Sequence, residues 1–375
     1  MEVDVAIIGA GPAGSALAAL LASRGVGVAL VDRDNFPRDK LCGEFLSYDA
    51  LPVIDLLGLD LEAHGTPTIR TCRVVGETRT YQFDFPAAAR GVSRMLLDDL
   101  LIQRATSLGA RRLDGHLVVG LEKRAIAFEE REPLSANLIV GAWGRWGRFD
   151  RQLGRAFVQD RTHRHFGFKR HYRSHAPRDE TIDLYSYDRG YLGVNSVEGE
   201  TTNICGLVHA DRIAKMKGGW NGFIHSLRGE SPALERLFGA NDPVQDEFLS
   251  CEPVIFRPRN PVEGGVIMIG DASGLIDPLT GNGMAMALQS ALLAAPFVLG
   301  ALRGAPPDGY AAAHRDFFGA RIGWSRRIAF LLSRPRLLEN AMRLSSWDGP
   351  GRFLLERTRA RQAKLDPAVR AWKQA

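Results

Sequence analysis

Six residues near the N-terminus, Gly9-Ala10-Gly11-Pro12-Ala13-Gly14, constrain this chain more than any other feature. Before them, Val3 to Gly9 is a short run of Val, Ile and Ala that suits a strand buried on both faces. After them an Ala/Leu helix is expected to about Arg24, and Val28 to Val31 reads as a second buried strand. A GxGxxG spacing is weak alone; between a strand and a helix, within a β-α-β unit of about thirty residues, it specifies a dinucleotide-binding turn. Gly9 permits the tight turn, Gly11 lets the backbone approach a pyrophosphate, and Gly14 lets helix and sheet pack closely. Pro12 and Ala13 open the helix, whose N-terminus faces the phosphates with unpaired N–H groups. Eighteen residues past Gly14, Asp32 ends the second strand, placed to accept from adenosine ribose hydroxyls, with Arg33 beside it.

Further on, Arg94 to Ser107 reads as a helix with Leu96, Leu97, Leu100, Leu101 and Ala105 on one side. Short strands are expected between Ala110 and Glu130, and a buried strand over Leu138 to Ala142. From about Gly154 to Pro258 the pattern changes to alternation, as in Ile182-Asp183-Leu184-Tyr185-Ser186-Tyr187 and Asn203-Ile204-Cys205-Gly206-Leu207-Val208, which predicts antiparallel strands. Val266 to Ile269 returns to the buried-strand pattern, a long helix follows Gly283, and the remainder from about Asp308 is mostly helical.

The second buried-strand-to-helix junction is Gly270-Asp271-Ala272-Ser273-Gly274-Leu275-Ile276-Asp277-Pro278-Leu279-Thr280-Gly281-Asn282-Gly283. An Asp just past a strand can bond a polyol hydroxyl, and the glycines after Pro278 leave backbone N–H groups free to meet an electron-rich ring. With this pair of junctions the chain resembles the p-hydroxybenzoate hydroxylase-like flavoproteins, which include class A flavin monooxygenases, geranylgeranyl reductases and flavin halogenases. The resemblance implies non-covalent FAD, Asp271 on its ribityl chain, and Pro278, Gly281, Asn282 and Gly283 beside the isoalloxazine. Arg94, four residues before Asp98, matches an arginine that contacts FAD in the family; as an ordinary i,i+4 pair it would be a surface salt bridge.

A further segment, Arg38-Asp39-Lys40-Leu41-Cys42-Gly43-Glu44-Phe45-Leu46-Ser47, resembles the Cys-Gly segment of the geranylgeranyl reductase branch. It also resembles flavoproteins associated with bacterial type III polyketide pathways. The resemblance puts Cys42 near the flavin; by residue type alone it is a small buried hydrophobe. Glu44 is either a general acid or base or an exposed loop carboxylate.

The expected fold class is therefore α/β: a Rossmann-like FAD-binding domain with an inserted antiparallel β-sheet substrate domain and C-terminal helices. The expected boundaries are 1–75, 90–153 and 259–307 for the FAD domain, 76–89 and 154–258 for the substrate domain, and 308–375 for the helical region. The implied activity is FAD-dependent monooxygenation of a small hydrophobic or aromatic, polyketide-type substrate, in which reduced flavin activates O2. Reduction of a carbon–carbon double bond is the alternative.

Three departures from family patterns bear on this reading. Many class A hydroxylases carry an Asp-Gly motif linked to FAD and NADPH; here Trp143 stands at the Asp position of Gly141-Ala142-Trp143-Gly144-Arg145-Trp146-Gly147-Arg148, and an indole cannot accept as a carboxylate does. NAD(P)H stays a candidate reductant, with this substitution against it, though Arg145 and Arg148 can still approach phosphates. Prenyl reductases carry Tyr-x-Trp-x-Phe-Pro, and Tyr191-Leu192-Gly193-Val194-Asn195-Ser196 lacks its Trp, Phe and Pro. Halogenases carry Trp-x-Trp-x-Ile-Pro and a catalytic Lys, whereas Trp143 and Trp146 have the wrong spacing.

Other features sort into open alternatives. The net charge is +5, and from Ala312 onward fourteen Lys or Arg face five Asp or Glu. That tail is either a solvated helical face or a peripheral contact for a membrane or an acidic carrier protein. Nucleic acid is not an expected partner, since no helix-turn-helix, zinc finger or aromatic RNA-binding motif is present. Cys42, Cys72, Cys205 and Cys251 form no CxxC pair, which argues against zinc and against a disulfide framework. No metal site is expected, and reduced thiols suit the cytoplasm. Met1-Glu2-Val3-Asp4 has no basic region of a signal peptide. Met284 to Leu302, broken by Gln289, Ser290 and Pro296, reads as too short and polar to span a bilayer. The basic stretch His163, His165, Lys169, Arg170, His171, Arg173, His175 is read as a solvated or edge strand, or as a patch for an anionic group; Tyr185, Tyr187 and Tyr191 either pack or wall the substrate pocket.

Overall fold

The computed structural model describes residues 2–145, 147–160, 164–175, 179–214, 217–251, 254–344 and 349–374. Trp146 and His163 lie outside the described residues. The chain is α/β, built on two sheets. The first runs in the order Val262–Glu263, Val266–Met268, Leu134–Gly141, Glu2–Ile8, Val28–Val31, Arg111–Leu113, with Val118–Leu121 and Ala125–Phe128 as an appended hairpin. Its central strands are parallel, Ile7 opposite Leu30 on one side and Val140 on the other. Val5 and Ile7 pack into one apolar cluster and Ala6 and Ile8 into another. Burial on both faces is why the strand reads as an unbroken apolar run.

The helix after the glycine turn, Pro12–Ala22, is buried along its whole length. Leu17, Leu20 and Leu21 are essentially inaccessible, each worth about 1.5–3 kcal/mol of burial. Arg94–Ser107 forms the expected helix, started by Ser93, whose Oγ accepts from the Leu96 amide at 3.0 Å. Gly283–Leu302 is, by length and composition, long and apolar enough to cross a membrane, which corrects the sequence expectation. Here it is a core helix, with Met284, Ala285, Leu288, Ala291, Leu292 and Ala295 buried in the cluster that includes the Pro12–Ala22 helix.

The second sheet runs Asn241–Pro243, Arg164–Ser174, Thr201–His209, Gly190–Val197, Thr181–Tyr187, Thr68–Val75, Thr80–Gly91, Phe45–Leu46. Thr68–Val75, expected in the FAD domain, belongs to this sheet. It pairs parallel with Thr181–Tyr187 and antiparallel with Thr80–Gly91 with a register shift between Ile69 and Thr71, and Ile69, Cys72 and Val74 join the cluster of Ile182, Tyr191 and Leu207. Within the expected substrate domain, helices Gly219–Arg228 and Pro232–Gly239 cover one face of the sheet; Phe223, Ile224, Leu227, Leu234 and Leu237 pack on Phe168, Leu192 and Ile204.

Two expectations about charge are corrected. Arg164–Ser174 is not a solvated edge: it lies between Thr201–His209 and three short strands, and Lys169 is wholly buried. In the basic C-terminal region, Arg321 and Arg359 turn inward, where they bond Asp49, Gln289, Thr358 and Thr280. A solvated helical face therefore describes only part of that charge.

Candidate active site

The glycine turn has the shape of a phosphate cradle. Gly9 has φ +112°, and a Cβ there would run into the Ala142 carbonyl; a Cβ on Gly14 would run into the Gly9 carbonyl. At Gly11 the nearest atom to such a Cβ is an Arg94 guanidinium nitrogen, 3.6 Å away. Gly11 caps the helix without a side-chain hydrogen bond, and the first turn carries no acidic residue. The open side of the turn is thus lined by helix N–H groups and by a cation. Asp32 accepts from the Ala10 amide at 2.8 Å and the Asp34 amide at 3.1 Å, which fixes its carboxylate at the end of the second strand. Arg33, by contrast, is largely exposed and pairs with Asp34.

Arg94 ties this turn to the Cys-Gly segment. Its guanidinium makes two bonds to Asp98, at 2.8 and 2.7 Å. Burial works against its charge, but Asp98, together with Cys42, raises its pKa above the ordinary value. Lys40 lies 3.5 Å from the same Asp98; burial, aided by Arg94, lowers its pKa to about 8. Arg94 also donates its backbone N–H to Glu44 Oε1 at 2.9 Å.

Glu44 is completely buried, which removes the exposed-carboxylate alternative. It has φ +53°, a left-handed conformation that is uncommon for a residue with a side chain. Its Oε1 also accepts from Lys169 Nζ at 2.6 Å, and its Oε2 lies 2.7 Å from His171 Nε2. Lys169 bonds Asp39 at 2.5 Å as well. Burial opposes the Lys169 charge, but Glu44 and Asp39 overcome it and raise its pKa. Strand periodicity explains the set: His165, Gly167, Lys169 and His171 share one face of their strand. A Cβ on Gly167 would run into Leu41 and Cys251, so the glycine lets the Cys-Gly segment lie on that face. Asn203, opposite His171, donates to the Cys42 carbonyl at 3.1 Å, and Asn195, opposite Asn203, donates to the Glu44 carbonyl at 3.3 Å. Cys42 is half-buried, and burial pushes its thiol pKa up even though Arg94 pulls it down. Ligand atoms of Asp39, Glu44 and His171 lie within 4.8 Å of one another, but the Lys169 ammonium already occupies both carboxylates.

The second junction faces the first. Gly270 has φ +61°, and its nearest neighbour is Ala13 of the glycine-turn helix. Burial pushes the Asp271 carboxyl up, against the pull of Arg145, Arg259 and Arg94. Among the described residues nothing hydrogen-bonds that carboxylate, so it is available to a polyol. Pro278–Thr280 is a single tight turn ended by Gly281 at φ +61°, whose nearest neighbour is the Phe45 ring at 2.6 Å from a Cβ position. Asn282 is fully buried and bonds the Thr358 carbonyl; Gly283 starts the long helix with open space around it.

Asp277, which sequence reasoning passed over, is buried, and burial raises its pKa to about 6 while Tyr191, bonded at 2.6 Å, lowers it. A carboxyl whose folded pKa is raised contributes stability that is complete below the ordinary value of 3.8 and is lost as pH rises through about 6. Asp277→Asn should therefore gain stability over the wild type between these pH values, by on the order of 3 kcal/mol. Denaturant melts at pH 4 and pH 8 check this; an unchanged gap would contradict it.

Beside Gly281 stands an aromatic ladder. Phe45 lies 5.4 Å from Phe85, Phe85 lies 6.1 Å from Phe83, and Phe83 lies 5.8 Å from Tyr81. Tyr48 flanks Phe85 at 6.3 Å. Of the tyrosines expected either to pack or to wall the pocket, Tyr187 packs and bonds the Leu207 carbonyl in the sheet, while Tyr191 bonds Asp277 beside the Pro278–Thr280 turn. The alternation Tyr81-x-Phe83-x-Phe85 was the available signal. At the Asp-Gly position, Trp143 packs on Phe149 and donates to Asp150 at 3.3 Å, so the indole is part of the core.

The cradle at Gly11, the adjacent Arg94 and the free Asp271 carboxylate fit the pyrophosphate and polyol of FAD. Residues 2–187 match the family model described as FAD binding domain. The chain is an FAD-dependent enzyme of the oxidoreductase type. This flavoenzyme is 28% identical to a menaquinone reductase of Mycobacterium tuberculosis, over 90% of this chain and 86% of the relative. It is 25% identical to a tryptophan 2-halogenase of Chondromyces crocatus, over 81% of this chain and 62% of the relative. The solved structure of flavin-dependent brominase Bmp2 superposes with a TM-score of 0.80 at 20% identity, covering 100% of this chain and 98% of that one. The flavoenzyme thus shares its fold with halogenases, beside its sequence likeness to a reductase.

Proposed function

We propose that this flavoenzyme is a monooxygenase that hydroxylates an apolar, phenolic, polyketide-type molecule. The observation that carries the reading is the change of chemistry across one peptide bond: Glu44 heads a buried proton-handling set with His171 and Lys169, and Phe45 heads the aromatic ladder. Bound FAD, once reduced, supplies the electrons that split O2, one atom entering the ring and the other leaving as water. The chain's own task is to seat the ring, exclude water and take the phenolic proton. A phenol that gives its proton to His171, backed by Glu44, becomes an electron-rich phenolate, the form that an electrophilic oxygen attacks. The ladder of Phe45, Phe83, Phe85 and Tyr81 holds an apolar ring through packing. Gly11, Arg94, Asp32 and Asp271 hold FAD, and NAD(P)H is the proposed source of electrons.

Glu44→Gln keeps the acceptor oxygen for Arg94 and Lys169 but not the carboxylate. Its kcat on a phenolic substrate should fall about 10²–10⁴-fold with FAD content unchanged. Steady-state kinetics of the two proteins at matched flavin content checks this. Equal kcat values would remove Glu44 from the chemistry.

Reduction of a carbon–carbon double bond is a second reading, favoured by the Cys42 thiol beside the Arg94 and Glu44 set and by the likeness to a menaquinone reductase. In that reading FAD would supply the hydride for one carbon, and the Cys42 thiol would give the proton to the other. Halogenation fits less well, because Lys169 is tied to two carboxylates.

A further inference from the structure

We propose that the outer face of the C-terminal helices Asp308–Leu332, Pro335–Leu344 and Gly349–Thr358 docks on a negatively charged lipid surface. Three of the large apolar side chains that stand exposed lie on these helices: Phe330 at 57%, Leu337 at 45% and Phe353 at 41%. Exposed arginines are interleaved with them. The Arg334 guanidinium lies 3.5 Å over the Phe330 ring, Arg327 lies 4.8 Å over Trp324, and Arg357 lies 5.2 Å over Phe353. Trp324 and Phe353 meet edge to face at 5.2 Å, which joins two of the helices into one patch. The acidic groups here do not cancel the charge. Glu339 is turned away to bond the Thr78 amide and hydroxyl, each at 2.9 Å, Glu356 stands beside Arg352, and Asp316 pairs with Lys364.

Aromatic tips among guanidinium groups suit the boundary between headgroups and acyl chains. The rings enter the apolar edge while each guanidinium pairs with phosphate in bidentate fashion. An acidic protein partner would satisfy the arginines but would need pockets for three projecting apolar side chains. A lipid surface takes them without any pocket, and this decides the choice of occupant.

The placement has a consequence for substrate entry, and this part rests on the proposed apolar substrate. Gly351, two residues from Phe353, packs against Phe83 and donates its N–H to Tyr81 Oη at 2.9 Å. The same helix therefore touches the aromatic ladder on its inner side and the proposed lipid surface on its outer side. An apolar phenol dissolved in the membrane would have a short path to the ladder.

The test is cosedimentation of the FAD-loaded full chain with phosphatidylcholine vesicles, with and without phosphatidylglycerol. The expected result is binding to the anionic vesicles that weakens as salt screens the charge, and little binding to the neutral ones. The double variant Arg327→Glu/Arg334→Glu should bind at least about tenfold more weakly, and Phe330→Ser several-fold more weakly, both with unchanged FAD absorbance. No binding by the wild type, or equal binding to both vesicles, would overturn the proposal. So would a concentration-dependent dimer abolished by Phe330→Ser, since a second copy would then cover the face. Vesicle binding requires no turnover, so its failure is distinct from failure of the hydroxylase reading.

Discussion

Gly11→Val should yield a folded but colourless protein, whereas Gly14→Val should not fold. The two glycines share a motif and differ in what surrounds them. A side chain at Gly14 meets the Gly9 carbonyl within the turn, where nothing can give way. A side chain at Gly11 meets only Arg94, 3.6 Å from its Cβ, and the backbone there has φ −75° and ψ −176°, an extended conformation that Val adopts freely. The added methyls would occupy the ground where a pyrophosphate must approach the helix N–H groups. Hydrogen bonds to charged groups are worth about 1.5–3 kcal/mol each, so losing one or two should weaken FAD binding by about 100-fold or more. Flavin absorbance after gel filtration and a titration of the apoprotein with FAD measure this directly. Stoichiometric flavin in Gly11→Val would place the cofactor elsewhere.

Lys169→Met should cost about 3–5 kcal/mol of stability, the penalty for leaving a buried charge without its partner. Lys169 is fully buried, and both carboxylates it joins, Asp39 and Glu44, stay behind when it is removed. Asp39 is partly exposed and can regain water; Glu44 cannot, and keeps only the Arg94 amide and His171. The double variant Glu44→Gln/Lys169→Met should therefore recover a substantial share of the loss, since it removes the stranded charge along with its partner. Chemical denaturation of the single and double variants tests the coupling. A loss below about 1 kcal/mol in the single variant, or a purely additive double variant, would show that the three groups do not act as one set.

The FAD half of the molecule was legible in the sequence because its signals are local. The Gly9 to Gly14 turn, the Val28–Val31 strand and the Arg94–Ser107 helix each carry their own punctuation: a glycine, a buried apolar run, a Ser93 cap. The set around Glu44 was not legible, because nothing local says that a loop carboxylate will be covered by a strand more than a hundred residues away. Lys169 and His171 stand in a run of basic residues that looks solvated; the Asp39 and Glu44 carboxylates that hold them meet them only in the folded chain. The strand Thr68–Val75 carries no local sign of which sheet it joins; that is settled by its parallel pairing with Thr181–Tyr187. In the C-terminal region, nothing local distinguishes Arg321 and Arg359 from Arg327 and Arg334; the inward pair is set apart by partners distant in sequence, Asp49, Gln289 and the Thr280 carbonyl.

The hydroxylase account stands or falls on the fate of oxygen. The flavin of the purified enzyme would be reduced without air, mixed with ¹⁸O-labelled O2 and a panel of alkylated phenols and resorcinols, and the products weighed by mass spectrometry. The expected product carries one labelled oxygen atom, forms only with O2 and is lost in Glu44→Gln. A product that instead gains two hydrogens from a polyprenyl quinone without air, with no oxygen entering any phenol, would contradict it and make the flavoenzyme a double-bond reductase.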